Sequence, residues 1–321
     1  MKAVLVQAAG HTPVYADHAA PVAAPGEVLI DVAAAALYPL VRARASGQHY
    51  SVSGGYPLIP GPLIPGVDGV GRTAAGERVY FFLPRAPFGA MAEQSVVAAE
   101  RCVPLPDGLD DAKAAALANP GMSSMAALQD RARFLPGETV LINGATGASG
   151  QLAVQIARAL GAGRIIATGR NTAVLDRLLA LGADETIVLG DDPTVLAPRF
   201  EQVFAEGVDV VLDYLWGPSA LALLKAGAKA GPAGRAIRFV QIGTSSGLEI
   251  SLPGAILRSS GLVLMGSGLG SVSNARLLEG IGAVMQLAAT RGLELPIRPV
   301  PLADVASVWP IEDGLRTVFT L

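Results

Sequence analysis

A glycine-rich turn between a strand and a helix carries the strongest chemical signal in the sequence. The strand TVLIN ends at Asn143, and the following helix extends to about Leu160. The turn has the pattern A-x-G-x-x-G, formed by Ala145, Thr146, Gly147, Ala148, Ser149 and Gly150. Gly147 would let the backbone approach a pyrophosphate, Gly150 would let the helix pack on its strand, and the helix N-terminus offers free N–H groups. The pattern favours a dinucleotide site; the alternative is a glycine-rich turn that binds nothing.

The residues that distinguish the two nicotinamide dinucleotides are expected about twenty positions after such a turn, where the next strand ends. Gly169, Arg170 and Asn171 occupy this place. Sites for NAD have Asp or Glu here, and a carboxylate would repel a 2′-phosphate, whereas Arg170 can pair with it. The sequence therefore predicts NADPH as the cofactor. The alternative is that Arg170 is a solvated loop charge.

Alternating strands and helices must position this turn. Short apolar strands such as TVLIN, RIIAT and VDVVLD are separated by helical stretches, which is typical of a parallel sheet covered on both faces. Two late strands end on residues expected to face the cofactor, namely Ile242, Gly243, Thr244, Gly266 and Ser267. Ahead of this region the spacing predicts two helices, from Asp110 to Leu117 and from Ser123 to Arg133.

The two ends of the chain have a different pattern. The N-terminal part alternates short strands with Pro and Gly clusters such as PVAAPG and LPRAPFG, which indicates a β-rich domain. The C-terminal tail returns to strand, short helix and strand, and we expect it to pack on that first domain. The predicted domains are residues 1–117 with 292–321, and residues 118–291.

Composition excludes several classes of function. Hydrophobic residues make up 51% of the 321 residues, charged residues 16%, and the net charge is −3. Such a chain folds, and it lacks the basic patches that nucleic acid or an anionic membrane surface requires. One cysteine and three histidines are too few for a structural zinc site. No stretch resembles an export signal or a membrane span, so we expect a cytoplasmic protein.

The chain resembles the zinc-independent quinone oxidoreductase branch of the medium-chain dehydrogenase/reductase superfamily. The motifs PGEVLIDV, PGVDGVG, GERVYF, GAMAEQSVV, LPGETVLINGATGASG and VDVVLDYLWG occur in the family's order over nearly the whole chain. The resemblance implies an α/β fold, with a Rossmann doubly wound parallel sheet domain and a discontinuous GroES-like β domain. It also implies that nicotinamide and substrate meet in a cleft between the domains, and that the protein is a homodimer.

The resemblance also implies which residues stand where zinc-containing members of the superfamily hold their catalytic metal. These positions correspond to Tyr38, Val67 and Asn119, and none of the three is a good zinc ligand. We therefore expect no metal, and we predict that Tyr38 and Asn119 donate hydrogen bonds to a substrate oxygen, with Tyr38 protonating the enolate. The alternative is that Tyr38 only fills the space left by zinc.

Weaker expectations concern residues near these positions. Ser123 stands where the family has Thr beside the nicotinamide, although a helix N-cap explains it equally well. His49 and Tyr50 could contact substrate, and Asp191 and Asp192 are read as charges near a helix start. The predicted function is hydride transfer from NADPH to a quinone or an α,β-unsaturated carbonyl. The alternative is a non-catalytic NADPH-binding sensor or crystallin-like protein.

Overall fold

The computed structural model describes residues 1–49, 62–190, 193–231 and 233–321. Tyr50, Asp191 and Asp192 therefore lie outside the described residues. The chain forms two compact units, one of Met1–Asn119 with Leu277–Leu321 and one of Pro120–Arg276. The predicted α/β fold, with a parallel-sheet domain and a discontinuous β domain, is confirmed.

The secondary structure of the described residues is bounded as follows. The strands are β1 Lys2–Leu5, β2 Val14–Asp17, β3 Glu27–Leu37, β4 Asp68–Thr73, β5 Arg78–Phe82, β6 Gln94–Ala98, β7 Cys102–Pro104, β8 Thr139–Asn143, β9 Arg164–Gly169, β10 Glu185–Val188, β11 Val210–Asp213, β12 Ile237–Gln241, β13 Leu262–Gly266, β14 Ile297–Pro301 and β15 Arg316–Thr320. The α-helices are α1 Pro39–Ala45, α2 Asp111–Ala126, α3 Ala148–Ala159, α4 Thr172–Ala180, α5 Pro193–Glu206, α6 Pro218–Ala230, α7 Gly254–Arg258, α8 Asn274–Arg291 and α9 Val305–Val308.

The second unit is built on a six-stranded sheet in the order β10-β9-β8-β11-β12-β13, with every pair parallel. The chain runs outward from β8 to one edge, then returns to the centre at β11 and runs to the other edge. The order therefore reverses between β8 and β11, and ligands of such sheets bind at the carboxyl ends of the strands at this point. The strands are continuous apolar runs because both faces are covered: the side chains of Leu141, Ile166 and Val211 are fully buried.

The first unit contains a mostly antiparallel sheet in the order β14-β15-β3-β4-β5-β7, with β6 also pairing with β3. The C-terminal strand β15 pairs with β3, placing Phe319 opposite Ala35. This pairing makes the β unit discontinuous, as predicted. The predicted boundary at residue 291 differs from the observed one, since most of α8 belongs to the β unit. A Cβ placed on Gly282 of α8 would lie 3.7 Å from Cγ1 of Val103 in β7, so this helix packs against the β unit.

The prediction of two helices between Asp110 and Arg133 is wrong. The structure has one helix, α2, which continues through Pro120 and is followed by a π-helical turn at Ala127–Arg131. A proline removes one N–H donor from a helix and usually kinks or ends it. Here burial on both sides of the proline outweighs that loss, because Leu117 and Met125 are almost fully buried.

Candidate functional site

The glycine-rich turn adopts the geometry that its pattern predicts, with one more glycine in use. Gly144 directly follows β8 and has a φ of +88°. The N–H of Ala145 then donates to the carbonyl of Thr168, at 2.7 Å. Gly144 therefore makes the tight turn, a role that the A-x-G-x-x-G interpretation missed. The signal was a glycine immediately after the last strand residue.

The two later glycines of the turn differ in their surroundings. A Cβ on Gly150 would lie 2.5 Å from Cα of Ala145 and from the carbonyl oxygen of Gly144, so only glycine lets α3 start this close to β8. Gly147 is exposed, and the nearest atom to a Cβ there would be 3.7 Å away. Gly147 is also the N-cap of α3 and provides no side-chain cap for the first N–H groups. Open space and uncapped N–H donors are features of a helix start that can receive an anion.

The segment at the end of β9 contacts the same turn. A Cβ on Gly169 would overlap the side chain of Thr146, which lies directly over it. Arg170 is exposed and makes no hydrogen bond or ion pair with the described residues. The side chain of Asn171 accepts a hydrogen bond from the N–H of Val174, at 3.1 Å, and caps α4. Of the three predicted residues, Gly169 has no side chain, the side chain of Asn171 already has a structural partner, and that of Arg170 is available to a ligand.

The segment after β12 lies beside the end of β11 and the loop that follows it. The N–H groups of Ile242 and Gly243 both donate to the carbonyl of Asp213, at 2.8 and 3.1 Å. A Cβ on Gly243 would be 2.5 Å from the carbonyl oxygen of Tyr214. This close approach requires glycine. Thr244 follows and is exposed.

The end of β13 is fixed by its neighbours. The N–H of Ser267 donates to the carbonyl of Gln241, at 2.8 Å, and Ser267 is buried. The carbonyl of Gly266 accepts from Nε of Arg131, at 2.7 Å. These backbone contacts hold the two strand ends side by side at the carboxyl edge of the sheet.

Sequence reasoning missed a buried polar group at the centre of this edge. The amide of Asn143 donates to Oδ1 of Asp213 at 2.8 Å and to Oγ of Ser219 at 3.0 Å, and its oxygen accepts from the hydroxyl of Thr168 at 2.8 Å. We call these four residues the switch-point network. Burial raises the pKa of Asp213 to about 6, against the effect of the hydrogen bonds from Asn143, Leu215 and Trp216. Asn143 and Asp213 each end a strand, Thr168 is the penultimate residue of β9, and Ser219 lies in the first turn of α6. Hydrophobic patterning gives no weight to polar residues at these places.

Ser123 lies inside α2, so the alternative that it caps a helix N-terminus is wrong. Its hydroxyl interacts with Tyr214, whose own hydroxyl lies 2.9 Å from Oγ of Ser124. Burial raises the pKa of Tyr214 above its usual range. The two serines thus anchor Tyr214 at the start of the loop after β11.

In the first unit, Tyr38 is part of a buried cluster. Its hydroxyl donates to Oδ1 of Asp68 and the hydroxyl of Tyr80 donates to Oδ2, each at 2.6 Å. All three residues are at most 3% exposed. Burial raises the pKa of Asp68, and burial together with the nearby carboxylate raises the pKa of Tyr38 well above its usual range. Tyr38 is therefore neutral and holds its proton toward Asp68.

Arg316 is a second residue that sequence reasoning missed. Its guanidinium stacks on the ring of Tyr38, 4.3 Å from the centroid, and the residue is 7% exposed. Among the described residues its Nε has no hydrogen-bond partner. A buried guanidinium with an unmet donor is costly, and an anionic group would satisfy it. The signal in the sequence was an arginine at the start of the apolar strand β15.

The surroundings of Val67 are apolar. Val67 and Val41 line a cavity of about 50 Å³ together with Leu83 and Phe88, and Arg44 is the charged residue in its wall. Asn119 lies in α2 and is partly exposed. Within the described ranges, no group of three or more His, Cys, Asp or Glu side chains is arranged to hold a metal. No described helix is both long and apolar enough to span a bilayer.

Comparison with known proteins gives consistent similarities. Residues 148–285 match a family model described as zinc-binding dehydrogenase, a range that does not include Tyr38, Val67 or Asn119. The chain is 31% identical to a probable NADPH-dependent quinone reductase of Emericella nidulans, over 95% of this chain and 96% of that protein. It is 32% identical to part of a mycocerosic acid synthase-like polyketide synthase of Mycobacterium tuberculosis, over 88% of this chain but 13% of the synthase. The quinone oxidoreductase of Thermus thermophilus, also crystallised with NADPH, superposes over 100% of both chains with a TM-score of 0.80 and 27% identity.

Proposed function

The chain belongs to the quinone reductase branch of the medium-chain dehydrogenase/reductase superfamily, and on this premise we propose that it is an NADPH-dependent oxidoreductase. Its substrates in this proposal are quinones or α,β-unsaturated carbonyl compounds. The observation that carries the proposal is the glycine-rich turn at the point where the strand order reverses, followed by an exposed, unpaired Arg170 at the end of β9 in the described structure. The names of the relatives in Emericella nidulans and Thermus thermophilus support it.

Several residues fit a bound dinucleotide. The close approach at Gly150 and the open space at Gly147 leave room for a pyrophosphate in front of α3. Arg170 would pair with the 2′-phosphate. When bound, reduced nicotinamide supplies the hydride.

Tyr38 and Asn119 are the proposed donors to the substrate oxygen. The hydroxyl proton of Tyr38 points to Asp68, so an ionised Asp68 competes with any substrate oxygen for it. A protonated Asp68 would donate its own proton to a tyrosine oxygen and release the hydroxyl hydrogen of that tyrosine. Burial raises the pKa of Asp68, so this protonated form is more accessible than it is for an exposed aspartate. Asp68 thus controls whether Tyr38 can donate.

We propose that the reaction proceeds without zinc. Val67 has no donor atom, and the hydroxyl of Tyr38 is already bound to Asp68. Neutral Tyr and Asn are poor ligands for Zn²⁺ beside thiolate, imidazole and carboxylate. Metal analysis of purified protein tests this point; stoichiometric zinc that is required for turnover would refute it.

We also propose a homodimer that pairs through the edge strand β13. This strand ends the parallel sheet, and Val263 on it is 44% exposed. Sedimentation of the wild type and of Val263→Lys tests this assembly, because a charge on the pairing face should shift the protein toward the monomer. A wild type that sediments as a monomer refutes the proposal.

The test of the proposed function is NADPH oxidation with a panel of quinones and enones. We expect turnover with NADPH, and a preference for NADPH over NADH that Arg170→Ala reduces by about tenfold or more, since the variant loses a charge-assisted pair. Arg258→Ala is the matched control, because Arg258 is also an exposed arginine of the second unit. Tight NADPH binding without turnover would favour the sensor. An unchanged preference in Arg170→Ala would refute the assignment of Arg170.

A further inference from the structure

A row of buried polar side chains lies at the carboxyl ends of three neighbouring strands of the parallel sheet, β9, β8 and β11. Asn143 of β8 is in register with Thr168 of β9 on one side and with Asp213 of β11 on the other. All three are fully buried. Residues in register on neighbouring strands point to the same face of the sheet. Three of the four residues of the switch-point network therefore form a continuous row across the place where the strand order reverses, and Ser219 of α6 is bonded to that row through Asn143.

Asp213 is the unusual member of this row. Its carboxylate oxygens accept from the amide of Asn143 at 2.8 Å and from the N–H groups of Leu215 and Trp216, each at 3.1 Å. All of these described partners are neutral donors. A carboxylate buried without a cation is costly, and a neutral side chain would serve a purely structural role at lower cost. The bonds that this strong acceptor makes therefore indicate what it does in the fold.

The bonds of Asp213 shape the loop that follows β11. Trp216 has a φ of +45°, a left-handed conformation that is unfavourable for a bulky residue. The carboxylate binds the N–H of Trp216 and of Leu215, so it stabilises this conformation directly. The same loop includes Tyr214, which contacts Gly243.

The network also reaches the other two segments of the proposed cofactor site. Asn143 immediately precedes Gly144, and the carbonyl of Thr168 accepts from the N–H groups of Gly144 and Ala145, at 3.2 and 2.7 Å. The carbonyl of Asp213 accepts from Ile242. The glycine-rich turn, the end of β9 and the segment after β12 are thus all bonded to the switch-point network.

We infer that Asp213 is a positioning residue for the cofactor site, which holds these three backbone segments in the geometry that receives the dinucleotide. It acts through Asn143 on the glycine-rich turn and through the N–H of Trp216 on the loop after β11. The inference rests on the proposed NADPH-binding function, and it requires no contact between Asp213 and the cofactor.

The test measures the dissociation constant for NADPH, by the fluorescence of the bound nicotinamide, in variants that are shown to be folded. Asp213→Asn places an NH₂ group against an N–H donor in either orientation of its amide, that of Asn143 or that of Trp216, and we expect it to weaken NADPH binding by about tenfold. The kcat at saturating NADPH should stay within about twofold. The double variant Asn143→Asp with Asp213→Asn restores a donor–acceptor pair and should recover most of the affinity.

The matched control is Asp209→Asn. Asp209 precedes the same strand at its opposite end, is 6% exposed and pairs with Arg235. We expect it to lower stability while leaving the affinity for NADPH unchanged. If Asp213→Asn does not fold, Thr168→Val removes the hydroxyl bond to Asn143 with little change of shape and should weaken binding by about threefold.

The outcomes separate the two proposals. A wild type that does not bind NADPH refutes the proposed function. A wild type that binds, with Asp213→Asn or Thr168→Val binding equally well, overturns the positioning role alone. Equal losses of affinity in Asp209→Asn and Asp213→Asn also overturn it, because they would reflect stability rather than position. Loss in Asp213→Asn with recovery in the double variant supports the inference.

Discussion

The titration of Asp213 should make this protein less stable as the pH rises from 4 to 7. Burial raises the pKa of this carboxyl from 3.8 to about 6 in the folded protein. Between these two values the folded state holds one proton more than the unfolded state, so the free energy of unfolding falls with increasing pH. A shift of about two pKa units corresponds to about 3 kcal/mol. The Asp213→Asn variant has no carboxyl to titrate, so its free energy of unfolding should not show this decrease with rising pH.

The assay is urea unfolding of the wild type and Asp213→Asn at a series of pH values, followed by tryptophan fluorescence. The variant has a constant offset from its altered hydrogen bonds, so the informative quantity is the difference between the two proteins as a function of pH. We expect the unfolding free energy of the variant to rise relative to the wild type by about 2.4 kcal/mol between pH 4 and pH 7, which is most of the full effect. Half of this rise should occur near pH 5.

Ser219→Ala is the control for this experiment. It removes a hydroxyl that contacts Asn143, at 3.0 Å, and leaves the carboxyl in place. Its stability should therefore follow the pH dependence of the wild type with a constant offset. Parallel curves for the wild type and Asp213→Asn over the whole range would refute the reasoning, because the carboxyl would then have the same pKa in the folded and unfolded states.

Three further predictions concern the other candidate residues. Gly150→Ala should lower stability by about 2 kcal/mol or more in thermal unfolding, because its Cβ would lie 2.5 Å from backbone atoms. Gly147→Ala has open space around the new Cβ and should lower stability by less than about 1 kcal/mol. Equal losses in the two variants would contradict the close approach of α3 to β8. Tyr38→Phe should lower the free energy of unfolding by about 1–3 kcal/mol, since Asp68 loses a buried donor. It should also lower kcat, with a smaller effect on the KM for NADPH. An unchanged kcat would rule out Tyr38 as a donor to substrate. Arg316→Met should lower the free energy of unfolding in urea by about 3 kcal/mol, because it removes the guanidinium that stacks on Tyr38 and whose charge lowers the pKa of the buried Asp68; unchanged or increased stability would show that this buried cation does not stabilise the cluster.

Local signals in the sequence were sufficient for the architecture and for the nucleotide turn. Apolar runs and helical spacing depend on neighbours a few residues away, and they predicted the parallel sheet and the return of the tail to the β unit. The glycine pattern reports local backbone geometry in the same way, so Gly150 was identified from spacing alone. The helix through Pro120 was not predicted, since its continuation depends on burial contributed by distant elements.

The tertiary structure determined which polar side chains meet in the interior. Asp213 meets Asn143 across 70 residues of sequence, and Tyr38 meets Asp68 across 30. Arg316 stacks on Tyr38 only because β15 returns to the sheet that contains β3. The energy of a buried charge depends on which donors the fold places around it, and strand order, rather than spacing along the chain, determines those neighbours. The sequence therefore determined where the backbone turns, and the fold determined which side chains hold those turns in place.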